Sequence, residues 1–186
     1  MKRLLLLVTL TTMLATLMMA TAAYAKDFAC QANCDGTPEA DNITGDDNRN
    51  EIRGKGGRDT IDGKGGNDDL YGDGSGDTLY GREGDDRLYG GNGNDTLWGG
   101  LGNDTLDGGA DNDRLFDQKG PLYGDPEDID YLYGGAGNDH LDAHDGDTKD
   151  WLYGGDGTDY CTGETNDKYN SCETEERWTP SGNPLG

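Results

Sequence analysis

Twelve aspartates recur on a fixed beat. Asp41, Asp59, Asp68, Asp77, Asp86, Asp95, Asp104, Asp113, Asp130, Asp139, Asp150 and Asp159 each stand two residues before an apolar position, and Asn50 holds the same place in a thirteenth. Carboxylates are hard oxygen donors. Brought together on adjacent segments they repel one another unless a cation lies between them. The chemistry on offer is cation binding, and the whole chain agrees with it: 38 Asp plus Glu against 15 Lys plus Arg give a formal net charge of -23. Such a field repels nucleic acid and anionic membranes, so neither is expected as a partner.

The residues that must position these carboxylates are equally regular. Ile43, Ile52, Ile61, Leu70, Leu79, Leu88, Leu97, Leu106 and Leu115 are nine residues apart. After a gap of 17, Leu132, Leu141, Leu152 and Cys161 follow at intervals of 9, 11 and 9. Gly45, Gly54, Gly63, Gly72, Gly81, Gly90, Gly99, Gly108, Gly134 and Gly154 each precede an apolar position by seven. Composition alone points to disorder, with 33 Gly in 186 residues and 31% apolar residues, where a compact domain carries about 45–50% apolar. Order at period nine argues for a repeat fold instead.

The unit reads G-G-x-G-x-D-x-U-x, with U a large aliphatic, and is fullest in GGNGNDTLW (90–98), GGLGNDTLD (99–107) and GGAGNDHLD (134–142). In tandem over roughly 39–162, it resembles secreted proteins built of haemolysin-type, or RTX, calcium-binding repeats. The resemblance implies an all-β chain folded as a right-handed parallel β-roll, a β-helix or solenoid, with calcium in the turns. Physical reasoning agrees. The x-U-x segment suits a short strand with its middle side chain inward, and the Gly-rich hexapeptide suits a turn. Two nonapeptides then make one 18-residue coil, so U residues 18 apart stack along one of two sheets. Each coil buries only two or so aliphatic side chains, worth about 1.5–3 kcal/mol apiece. Ordering its backbone costs about 1–2 kcal/mol per residue, which is far more.

Calcium is the expected missing contribution. The resemblance implies several Ca2+ ions held by Asp59, Asp68, Asp77, Asp86, Asp95, Asp104, Asp113, Asp139 and Asp159 with loop carbonyls. The best-formed loops carry Gly90, Gly91 and Gly93, then Gly99, Gly100 and Gly102, then Gly134, Gly135 and Gly137. Mg2+ suits such sites less well because it dehydrates reluctantly. An EF-hand is excluded, since no D-x-[DN]-x-[DN]-G loop with a Glu at its twelfth place exists. Glu39 and Asn48 replace a turn glycine in the first two units, which therefore look like a cap. The stretch 117–131 is expected to be irregular, with room for an extra rung at Leu122, and the loop before Leu152 is two residues longer and should bulge.

The termini suggest export. Lys2 and Arg3, an apolar run from Leu4 to Met19 and Ala23-Tyr24-Ala25 form a signal-peptide pattern with cleavage after Ala25. The expected plan is a signal peptide (1–25), an N-terminal cap (26–38), the roll (39–162) and a C-terminal cap with a disordered tail (163–186). A secreted, monomeric product is expected, without membrane insertion. Cys30, Cys34, Cys161 and Cys172 are an even set in the exported part, read as disulfides. Their places at the two ends favour the local pairs, and the C-x2-C spacing of zinc ribbons is missing. Cys161 takes a U place, so a bridge from it to Cys172 would seal the last coil.

Catalysis is not expected. His140 and His144 are the only imidazoles and both fall within the repeats, while Ser75, Ser171 and Ser181 have no nucleophile context. Tyr71, Tyr80, Tyr89, Trp98, Phe116, Tyr133 and Tyr153 follow U directly and should form outward ladders, such as Tyr71 with Tyr89 and Tyr80 with Trp98. Their stacking would stabilise neighbouring strands. An adhesin-like contact with a cell-surface glycan or protein is the alternative, and the row Thr60, Thr78 and Thr96 raises ice binding as another.

Overall fold

The computed structural model describes residues 27–117, 128–146 and 149–178. The segment expected to be a signal peptide, the suggested rung at Leu122 and the last eight residues lie outside these. The described residues form 17 strands and no helix. Strands alternate between two parallel sheets, so that each coil contributes one strand to each: nine strands in one sheet and eight in the other. This is the β-roll that the period of nine implies.

Register follows the aliphatic beat. In the first sheet Ile43, Ile61, Leu79, Leu97, Leu115, Leu141 and Cys161 stand opposite one another in turn. In the second the row is Ile52, Leu70, Leu88, Leu106, Leu132, Leu152 and Tyr169. A one-residue slip would turn every one of these outward, so the pattern itself fixes the pairing. The two rows form one continuous core. The interruption leaves it intact: Leu106 lies opposite Leu132 and Leu115 opposite Leu141.

Strands are longer than the three residues x-U-x. The central ones, such as Thr78–Glu83 and Thr105–Ala110, run to six, because turn residues also pair between coils, Gly109 lying opposite Gly91 and Gly135. Alternation therefore extends inward on both sides of U. Asp77, Leu79 and Gly81 are all buried, while Thr78 and Tyr80 between them are half-buried. The repeat aspartates thus point into the roll, flanking the aliphatic row.

Both segments expected as caps carry strands that extend the two sheets. Asp27–Ala29 pairs with Asn42–Thr44, and Asn33–Asp35 with Glu51–Arg53. At the other end Lys168–Asn170 pairs with Trp151–Tyr153. The expectation of a disordered tail directly after Cys172 needs correction: Thr174–Trp178 is a strand lying along Tyr160–Glu164. The open edge of a parallel sheet presents unpaired backbone groups that an extended segment satisfies whatever its side chains, so no repeat pattern marks it. Two disulfides join Cys30 to Cys34 and Cys161 to Cys172, with Cα separations of 5.9 and 6.0 Å. Cys161 is fully buried at the end of its row.

Candidate metal centre

The repeat aspartates form two ladders running the length of the roll. In each, Oδ1 accepts a hydrogen bond from the backbone N–H of the aspartate one coil earlier. Asp59 donates to Asp77 at 2.8 Å, Asp77 to Asp95 at 2.6 Å and Asp95 to Asp113 at 2.8 Å. In the other ladder Asn50 donates to Asp68 at 2.7 Å, Asp68 to Asp86 at 2.7 Å and Asp86 to Asp104 at 2.8 Å. Asp113 to Asp139 and Asp139 to Asp159 continue the pattern across the interruption at 2.8 and 2.9 Å. Half of each carboxylate is thereby committed to holding the coils together.

The other half has no such partner. Among the described residues Oδ2 is buried without a hydrogen bond at all nine predicted positions: Asp59, Asp68, Asp77, Asp86, Asp95, Asp104, Asp113, Asp139 and Asp159. The residues themselves are 0–2% exposed. Native interiors rarely leave buried acceptors unsatisfied, and a charged one is costlier still.

Glycine shapes the space around that oxygen. A methyl group built on Gly90 would collide with Asp95 Oδ2 and lie 2.6 Å from the Gly108 carbonyl oxygen. The same convergence occurs at Gly81, with Asp86 Oδ2 and Gly99 O, and at Gly134, with Asp139 Oδ2 and Gly154 O. A carboxylate oxygen from one turn and a carbonyl oxygen from the next coil thus face a cradle that any Cβ would fill. The remaining predicted glycines do a different job, except Gly99, which lines the cradle of Asp104 as Gly90 does that of Asp95. Gly91, Gly93, Gly100, Gly102, Gly135 and Gly137 have φ between 106 and 157° and form the left-handed bends of the turns.

Burial pushes these acids upward. Asp59, Asp68 and Asp95 are raised to about 6, Asp86 to about 7, and Asp77 and Asp113 to about 8. Asp104, Asp139 and Asp159 also rise, for the same leading reason. Loss of hydration is the largest cause, opposed by the backbone N–H on Oδ1 and, at Asp77 and Asp113, reinforced by neighbouring ladder carboxylates. A metal-free ladder at neutral pH must therefore either hold protons or bear uncompensated charge.

A family model for RTX calcium-binding nonapeptide repeats matches residues 35–70, 44–79, 71–106, 80–115, 127–161 and 146–167. The chain belongs to this family. No curated protein and no solved structure matches it. RTX repeats bind calcium, and the donor set here fits that ion: carboxylate and carbonyl oxygens, with no nitrogen or sulfur among them. An orphaned buried carboxylate oxygen beside a carbonyl oxygen is the local feature expected of a cation site.

Several ladder members lie outside the expected ligand set. Asp130 and Asp150 hold ladder places, accepting from Asp104 and Asp130 respectively, although their units have lost glycines. Asp167 accepts from Asp150 at 3.2 Å and Glu173 from Asp159 at 2.6 Å, closing the two ladders. Asp167 does carry a signal, since it stands two residues before Tyr169. His140 lies between the rings of Phe116 and Tyr160, and His144 Nδ1 is 2.6 Å from Asp142 Oδ1.

Proposed function

We propose that this chain is an exported, non-catalytic calcium-binding β-roll whose folding is coupled to ion uptake. The observation that carries the reading is the row of buried Oδ2 atoms, each without a hydrogen-bond donor and each facing a glycine cradle. Asp59, Asp68, Asp77, Asp86, Asp95, Asp104, Asp113, Asp139 and Asp159 would hold the ions, assisted by carbonyl oxygens such as those of Gly99 and Gly108. Bound calcium would supply the positive charge that buried carboxylates require. An unfolded chain has no such cradle, so the free energy of binding adds directly to that of folding. Two disulfides at the ends suit an oxidising compartment.

The aromatic residues pair with one another. Tyr71 stacks on Tyr89 at 4.9 Å, Trp98 on Phe116 at 4.3 Å and Tyr133 on Tyr153 at 4.8 Å. Tyr80 stands opposite Trp98 and carries the Arg82 guanidinium 4.8 Å over its ring. These contacts support strand stabilisation as their role.

Calorimetric titration with calcium tests the proposal. Uptake of several ions is expected, with the stoichiometry reduced when Asp86, Asp95 and Asp104 are replaced together by asparagine. A chain that takes up no calcium at millimolar concentration would refute it.

A further inference from the structure

Where the repeat is interrupted, four aspartates from different segments converge. Asp117, Asp130, Asp145 and Asp150 each offer a carboxylate oxygen, and these oxygens all lie within 4.8 Å of one another. Asp117, Asp130 and Asp150 are fully buried and Asp145 is half-buried. Only Asp130 and Asp150 follow the repeat, two residues before Leu132 and Leu152. Asp145 lies in the lengthened loop after Leu141. Asp117 stands two residues after Leu115, where all eight preceding units have glycine.

Asp117 sets this cluster apart from a group of acids that merely happen to be close. Its side chain is 0% exposed, and neither carboxylate oxygen has a hydrogen-bond partner among the described residues. Its backbone is fixed, since its N–H donates to the Asp142 carbonyl at 2.9 Å. The inward place that is an open cradle in other coils here holds a carboxylate, aimed at three more.

We propose that Asp117, Asp130, Asp145 and Asp150 form a separate, all-carboxylate calcium site that closes the interruption in the roll. Calcium binds oxygens at 2.3–2.6 Å, so ligands on opposite sides of one ion are about 4.6–5.2 Å apart, and the cluster fits around a single ion. Asp130 and Asp150 give Oδ1 to backbone N–H groups and keep Oδ2 for the ion. Asp117 and Asp145 can bind through two oxygens, so the cluster reaches the lower end of the six to eight ligands that calcium takes. Affinity rises with the number of charged ligands, so this site is the tightest in the chain. An ion there ties Asp117, before the interruption, to Asp130 after it and to the lengthened loop. The inference goes beyond the repeat sites, differing from them in donors and in position.

The test uses the full chain at neutral pH, with calcium followed by calorimetry and terbium by luminescence as a second probe. Asp117→Gly restores the residue found in the eight preceding units, and Asp145→Asn keeps shape while removing charge at the least buried member. Each variant should weaken the tightest site by roughly tenfold or more, while the weaker sites and the calcium-dependent circular dichroism persist. The proposal is overturned if the wild type has no tight class of site, as when the four acids simply share protons, or if both variants leave that class unchanged in number and affinity. Failure of the repeat sites would look different: the tight site would remain and the weaker ones would be missing.

Discussion

Replacing Asp77 with asparagine should act in opposite directions with and without calcium. The Asp77 carboxyl is buried, its acid is raised to about 8, and its Oδ2 lacks a donor. In the unfolded chain the same group has a pKa of about 3.9. A folded pKa above the unfolded one gives stability that is fully present below about pH 4 and is lost as pH rises towards about 8. The loss is about 1.4 kcal/mol per pH unit, hence about 1–2 kcal/mol at pH 5 and at most about 4 kcal/mol at pH 7. Asparagine escapes it. Its carbonyl keeps the bond from the Asp59 N–H, now 2.8 Å, and its amide can turn towards the Gly90 carbonyl. Asn50, 0% exposed at the equivalent place in the repeat, shows that an amide fits. At pH 5 the ladder acids, raised to about 6–8, keep their protons and the calcium-free roll can fold, so urea denaturation in chelator should find the variant more stable by about 1 kcal/mol. In saturating calcium at neutral pH the sign reverses, since a charged ligand is gone, and each tenfold loss of affinity removes about 1.4 kcal/mol. An effect of the same sign in both conditions would refute the reasoning that one carboxylate is a liability alone and a ligand with its ion.

Three further outcomes follow. Gly90→Ala drives a methyl into Asp95 Oδ2 and to 2.6 Å from the Gly108 carbonyl, so it should destabilise the calcium-loaded roll by about 3 kcal/mol or more, measured by thermal unfolding. Ser75→Gly should stabilise it by about 1 kcal/mol in the same assay, because exposed Ser75 holds a left-handed φ of 82° that glycine adopts freely. Calcium affinity should rise steadily from pH 5 to pH 8, since protons compete for Asp86, raised to about 7, and for Asp77 and Asp113, raised to about 8; calorimetry in buffers of different ionisation heat should detect the released protons.

The fold is legible in the sequence because its repeat is a physical period. Leu79 to Leu97 to Leu115 announces two sheets and their register from spacing alone, and Asp77, Asp95 and Asp113 share that beat. What the spacing does not reveal is direction. Aspartates two residues from an inward leucine must themselves point inward once the strand extends past three residues, so the ligands lie inside the roll as much as in its turns. The terminal rungs are hidden for another reason. Asp27–Ala29 and Thr174–Trp178 pair through backbone groups on open sheet edges, which leave little trace in side-chain pattern. The carboxylate cluster is obscured by its mixed origin, since Asp117 and Asp145 lie off the beat and become neighbours of Asp130 and Asp150 only when the interrupted coils close.

Circular dichroism of the purified chain, recorded in chelator and then in millimolar calcium at neutral pH, tests the coupling of folding to calcium most directly. An unfolded spectrum is expected without calcium and a β spectrum with it, the change being reversed by renewed chelation. A β spectrum that is the same in both conditions would contradict that coupling.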